Sequence, residues 1–171
     1  MPAKEWHCYN VEDEKICIPS SWGFVNQNRY LFVSNLPNLY PNSYFEVVKK
    51  NKLRSGYDAE SYLKGLYAEI KSDTVGKFTG QKIIKITYSN KQTFNCEFYS
   101  TIDNKPYVTY STVFEIDNNI FEIALKVNLL KGNSLLETYK NILYNFYYKN
   151  ELVYSIKDKI TGIEEINPGE L

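Results

Sequence analysis

The chain of 171 residues predicts an α+β fold, an antiparallel β-sheet with helices packed on it. Three observations lead there. Between Gln81 and Lys131 four alternating β runs are broken by three turn clusters rich in Asn and Asp. Two other segments, 58–72 and the stretch from Asn133 or Ser134 onward, carry apolar residues at helical spacing. With 43% hydrophobic content and no long Gly/Ser or Pro/Gly tract, the chain reads as one domain able to bury its own core. Residues 1–155 are assigned to that domain, and 156–171 to a C-terminal tail or short docked segment.

The first element is a hairpin, residues 6–10 and 15–18 around Val11-Glu12-Asp13-Glu14. Its register places Cys8 directly across from Cys17. A disulfide is geometrically open there, but cross-strand bridges are uncommon, so two reduced, partly buried thiols are the default. Pro19-Ser20-Ser21-Trp22-Gly23 then breaks the strand and offers an aromatic plug for one end of the core. Residues 30–34 and 44–49 read as strands separated by the Asn/Pro-rich segment 35–43. Asp58 caps a helix through about Ser72, whose stripe of Ala59, Tyr62, Leu63, Leu66, Tyr67 and Ile70 must dock on the sheet.

The meander follows. With Asn90-Lys91-Gln92 as a three-residue loop, Tyr88 faces Phe94, Ile86 faces Cys96 and Ile84 faces Phe98. Asp103-Asn104-Lys105 as the second loop pairs Phe98 with Tyr110 and Phe94 with Phe114; an Asn118-Asn119 turn pairs Phe114 with Ile123 and Thr112 with Leu125. Phe94, Phe98, Phe114, Phe121, Ile123 and Leu125 then share one buried face. The opposite, polar face carries Lys85, Glu97, Ser111 and Lys126 in one cross-strand row, with Lys85 opposite Glu97 as an ion pair. A second helix follows, its stripe being Leu135, Tyr139, Ile142, Leu143, Phe146 and Tyr147.

Composition narrows the chemistry. Twenty basic and twenty acidic residues cancel, which argues against nucleic acid as a main partner. No apolar run reaches the roughly 18 residues of a spanning helix, and the N-terminus lacks an apolar signal core, so the chain as given reads as soluble and cytoplasmic; a periplasmic or lipid-anchored protein whose signal was trimmed is the alternative. His7 is the single histidine, which removes most Ser/His/Asp and multi-histidine metal arrangements. No Cys-x-x-Cys spacing occurs among the three cysteines, Cys96 reads as a packing residue, and Gly76-Lys77-Phe78-Thr79-Gly80 lacks the order of a phosphate loop. Glu115 and Glu122 fall opposite each other in the register above, which reads as a solvated sheet end before it reads as an acid/base pair. The sequence thus implies no catalytic residue, no metal site and no cofactor. Tyr occurs 16 times, so Tyr99, Tyr107, Tyr144, Tyr148 and Tyr154, which leave the predicted stripes, are recognition residues or covers for polar edges.

One short motif suggests a family. Ile16-Cys17-Ile18-Pro19-Ser20-Ser21-Trp22 is similar to the early strand ending in Pro-x-x-Trp of the PsbP-like, Mog-like and DcrB-like α/β/α sandwich family, and the middle helix, long meander and closing helix follow in that family's order. The resemblance runs from about Trp6 to Tyr154. The Asn/Pro segment before the middle helix is longer than in the bacterial pattern. The resemblance implies a non-enzymatic binding or adaptor module, such as a bacterial effector-loading chaperone or accessory protein, with an envelope lipoprotein or periplasmic accessory protein and a small-ligand carrier or small enzyme as alternatives. A protein partner is expected, and a homodimer is open. The candidate surface is the polar sheet face or its rim, at Lys85, Tyr99, Thr109, Ser111 and Lys126.

Overall fold

The structure, a computed structural model, describes residues 5–25, 31–37, 42–89, 91–132, 135–155 and 157–171. In chain order its elements are β1 (Trp6–Val11), β2 (Glu14–Pro19), β3 (Gly23–Val25), β4 (Phe32–Asn35), β5 (Tyr44–Asn51), α1 (Lys52–Ser55) and α2 (Ala59–Ser72). The meander strands β6 (Lys77–Tyr88), β7 (Gln92–Ile102), β8 (Lys105–Ile116) and β9 (Asn119–Asn128) follow. Then come α3 (Leu129–Gly132), α4 (Leu135–Tyr144), β10 (Tyr147–Tyr148), β11 (Glu151–Leu152), β12 (Ile160–Glu165) and a 3-10 turn at Pro168–Glu170. Eight strands form one antiparallel sheet in the order β12-β6-β7-β8-β9-β5-β4-β3, and β1-β2-β10-β11 form a second, smaller one.

The large sheet is buried on both faces, which corrects the single-face expectation. The second loop is a two-residue turn, Asp103-Asn104, with both residues at positive φ (50° and 61°), so Ile102 pairs with Lys105 and Phe94 with Val113. Asn and Asp tolerate this left-handed geometry, and such turns match strand twist. The expected three-residue loop is one residue too long, and a one-residue slip turns every side chain of one strand to the other face. The third turn, Asp117-Asn118 at φ 49° and 61°, differs from the expected one by an even shift and keeps the face: Phe114 pairs with Phe121 and Thr112 with Ile123. In the first hairpin Lys85 pairs with Phe94 and Ile83 with Cys96, an odd shift that moves Ile84 and Ile86 away from Cys96. Asn90 of that loop lies outside the described residues.

Phe94, Cys96, Phe98, Ile83, Val113 and Ile120 therefore lie under α2, packed with Ala59 and Leu63. Phe114, Phe121, Ile123 and Leu125 lie on the other face, with Ile16 and Ile18 of β2 and with Leu135, Tyr139 and Ile142 of α4. Trp22 is buried against Phe45, as the plug reading requires. Helix α2 matches its expected bounds: Asp58 Oδ1 accepts from Ser61 N at 2.7 Å and caps it. Helix α4 ends at Tyr144, short of the expected stripe. Tyr147 and Tyr148 leave it to pair with Lys15 and Glu14, because the open edge of β2 satisfies their backbone groups. Tyr30, residues 38–41, Asn133 and Ser134 fall outside the described residues. Residues 160–165 form a strand antiparallel to β6, and Ile166 and Leu171 pack beside the α2 core.

Cys8 does lie opposite Cys17, and the two are joined by a disulfide where two reduced thiols were the default reading. Cys96 is the free, buried cysteine. Among the described residues no helix is long and apolar enough to cross a membrane.

Candidate binding cleft

The candidate surface read from the sequence does not form one exposed face. Lys85, Thr109, Ser111 and Lys126 share the α2 side of the sheet, and Tyr99 lies on the α4 side, two residues along β7 from Glu97. Ser111 is buried and donates to Glu122 Oε2 at 2.6 Å. Lys85 sits 3.8 Å from Glu60 of α2 and over the Phe94 ring, while Glu97 is opposite Lys82 and Tyr110, which corrects the expected Lys85–Glu97 pair. Lys126 lies over the rings of Tyr44 and Tyr107.

Glu115 and Glu122 also part company. Glu115 pairs across the ladder with Ile120, takes Lys52 Nζ at 2.8 Å and accepts from Ala59 N at the start of α2. Glu122 instead accepts from Tyr62 of α2 at 2.5 Å and from Ser111, and burial holds its carboxyl above the usual carboxylate range against those bonds. Glu46, one strand away, is pushed up to about 7 by burial, then by Glu122 and Glu69. This acidic group ties α2 to the sheet. The depression beside it, about 240 Å³, is lined by Lys50, Tyr62 and Glu69 but by neither Glu46 nor Glu122.

An opening with mixed apolar and polar walls lies on the other face. Helix α4 packs over β8 and β9 and leaves the α4 side of β6 and β7 partly open, so a cleft of about 390 Å³ runs between them. Its apolar surfaces come from Ile84 and Ile86 on one side and Leu136 and Leu143 on the other. Alternation along β6 puts Ile84 and Ile86 there, and the i, i+7 spacing of Leu136 and Leu143 puts them on one side of α4. Tyr88, Tyr110, Tyr139, Tyr144 and Tyr154 add aromatic surface, and Lys82, Glu97 and Lys140 supply charge.

The polar groups in this cleft are tied to one another. Thr112 Oγ1 donates to Asn95 Oδ1 at 3.0 Å and lies 2.7 Å from the Tyr139 hydroxyl, which donates to the Ile123 carbonyl. Thr93 Oγ1 lies 2.9 Å from the Tyr154 hydroxyl. Burial holds the phenols of Tyr139 and Tyr154 above their ordinary range, so they remain protonated donors. Tyr99 donates to Glu97 Oε2, and its phenol is pushed up to about 12 by burial and by that carboxylate. The result is a rigid wall with fixed donors beside apolar ridges, the make-up of a recognition site.

Two of the five stripe-breaking tyrosines, Tyr144 and Tyr154, line this cleft; Tyr107 and Tyr148 are buried elsewhere. Ile84, Ile86, Leu136 and Tyr139 are site residues that the sequence reading assigned to the core or passed over. The signal for them was the pair of Asp-Asn dipeptides, which demand two-residue turns and so a second buried face.

No protein-family profile and no curated protein matches this sequence. Solved structures do match. Cyanobacterial PsbP (CyanoP) from Synechocystis superposes with a TM-score of 0.59 at 8% identity, over 86% of this chain and 95% of that one. LpqN, involved in cell envelope biogenesis of Mycobacterium tuberculosis, gives 0.49 at 13% identity over 83% and 89%. Protein PA94 of Pseudomonas aeruginosa gives 0.48 at 12% over 80% and 92%. With α2 on one face of the large sheet, and α4 and the small sheet on the other, the chain has the PsbP-like α/β/α sandwich fold.

Proposed function

We propose that this protein is a non-enzymatic binding module that holds an apolar segment of a protein partner in the cleft between α4 and β6–β7. The observation that carries this reading is the half-covered sheet face. Ile84, Ile86 and Tyr88 stay partly exposed although they continue a face that is otherwise sealed by α4 and β2. The hydroxyls beside them are engaged with each other and with backbone oxygen, which suits fixed recognition better than proton transfer. Fold likeness does not bear on the choice of partner.

The test is a photoreactive side chain placed at Leu143 and, as a control, at exposed Leu53 of α1. The expected outcome is a defined cross-linked adduct in the source cells at Leu143, absent at Leu53 and lost when Ile86→Glu is added. Equal labelling at both positions, or adducts indifferent to Ile86→Glu, overturns the reading.

The Cys8–Cys17 disulfide, with Cys8 exposed, favours an accessory role in an oxidising compartment such as the cell envelope, because disulfides persist poorly where thiol reductants are abundant.

A further inference from the structure

Among the described residues strand β12 is the outer edge of the large sheet and pairs only with β6. Ile166 N donates to the Ile83 carbonyl at 2.8 Å, so alternation points the backbone groups of Gly162 and Glu164 toward β6 and those of Ile163 and Glu165 outward. On the side chains the same register sets Ile163 opposite Ile86 and Ile160 opposite Tyr88, so both continue the apolar surface of the cleft, and Ile160 lines it. They are 68% and 48% exposed. Next to them Glu164 and Glu165 are exposed, and among the described residues neither has a cation within ion-pair distance.

We infer that β12 is a strand-addition site for an extended segment of a partner protein, alternately apolar and bearing Lys or Arg at the end beside Glu164 and Glu165. This rests on the cleft reading above and names the partner's form and charge. Added to β12, such a strand satisfies the outward N–H and C=O groups of Ile163 and Glu165 and lays its apolar side chains over Ile160 and Ile163 toward the cleft. Its cations meet the two carboxylates. The same pair of glutamates opposes edge-to-edge pairing of two copies, since that would crowd four carboxylates into one short ladder. Other edges fit less well: β11 is two residues long and β3 three, and no residue of β1 lines the cleft described above.

The experiment titrates the full chain with a short synthetic peptide of alternating valine and threonine ending in paired arginines, and with its counterpart ending in paired glutamates. Amide exchange at Ile163 and Glu165, and peptide affinity, are the readouts. The arginine peptide is expected to slow exchange at both amides by about tenfold or more and to bind at least about tenfold more tightly than the glutamate peptide, a preference that shrinks with salt. Ile163→Pro, which removes an outward N–H and leaves the bonds to β6, is expected to abolish binding, whereas Glu164→Lys with Glu165→Lys is expected to reverse the preference between peptides. Absent protection, equal affinities, or protection that grows with protein concentration without peptide overturns the inference; the last makes a second copy the occupant. Binding that survives Ile163→Pro but is lost with Leu143→Glu leaves the cleft reading standing and removes the edge. Silence of both peptides, with the Leu143 cross-link intact, does the same.

Discussion

Glu14 has no exposed side-chain surface, yet it is ionisable, and what makes it tolerable is Lys49 Nζ at 2.7 Å, which also reaches Glu12 at 2.9 Å. Burial raises the Glu14 carboxyl even so. Lys49→Met is expected to cost about 3–5 kcal/mol, because it strands a buried charge, and Glu14→Gln in the same background to restore much of that, as read by urea denaturation. Glu46 poses the opposite case, with no nearby cation strong enough to offset burial, Glu122 and Glu69. Its folded-state value of about 7 lies above the ordinary 4.5. Between those values the folded chain holds a proton that the unfolded chain releases, so stability falls as pH rises through that window. Glu46→Gln is expected to make the loss between about pH 5 and pH 8 smaller by on the order of 1–2 kcal/mol, measured as denaturation midpoints across pH.

Turns decide more at the level of elements than any strand does. Asp103-Asn104, Asp117-Asn118 and Lys149-Asn150 each hold two successive residues at positive φ, and each closes a hairpin of two residues. Asn104→Val, a β-branched residue in a left-handed conformation, is expected to lower stability by about 1–3 kcal/mol, while Asn104→Gly is expected to be near neutral; chemical denaturation of both variants checks this. These turns also explain what could be read from the sequence. Helix α2 was legible to its cap because an amphipathic stripe and Asp58 agree, and the β1–β2 register was legible because its alternation tolerates only one pairing. The meander strands were legible as strands but not in register: Phe94 and Phe114 are both apolar and both buried, so hydrophobicity alone accepts either face. The cleft was lost with the register, since Ile84 and Ile86 were placed inside the core. Tyr147 continues a helical stripe, and only the tertiary demand of the β2 edge takes it, with Tyr148, out of the helix.

For the molecule as a whole, two layers share one central sheet, and the disulfide belongs to the outermost strand of the smaller layer. Cys96 lies in the opposite layer, where burial pushes its thiol well above the ordinary range, so it reacts slowly in the native state. Protein isolated from its native compartment with thiols trapped at lysis, then denatured without reductant, is expected to show one free thiol; three would overturn the envelope reading while leaving the cleft untouched. The order of strands across the large sheet has a further consequence during biosynthesis. β6 finds its neighbour β7 at once through a short loop, but its other neighbour, β12, follows the whole meander and α4 in the sequence and is therefore made after them. Until β12 has been made, the nascent sheet finishes at β6, a long strand carrying Ile84 and Ile86, so the newborn protein passes through a stage whose sticky border requires shielding that the finished protein supplies for itself.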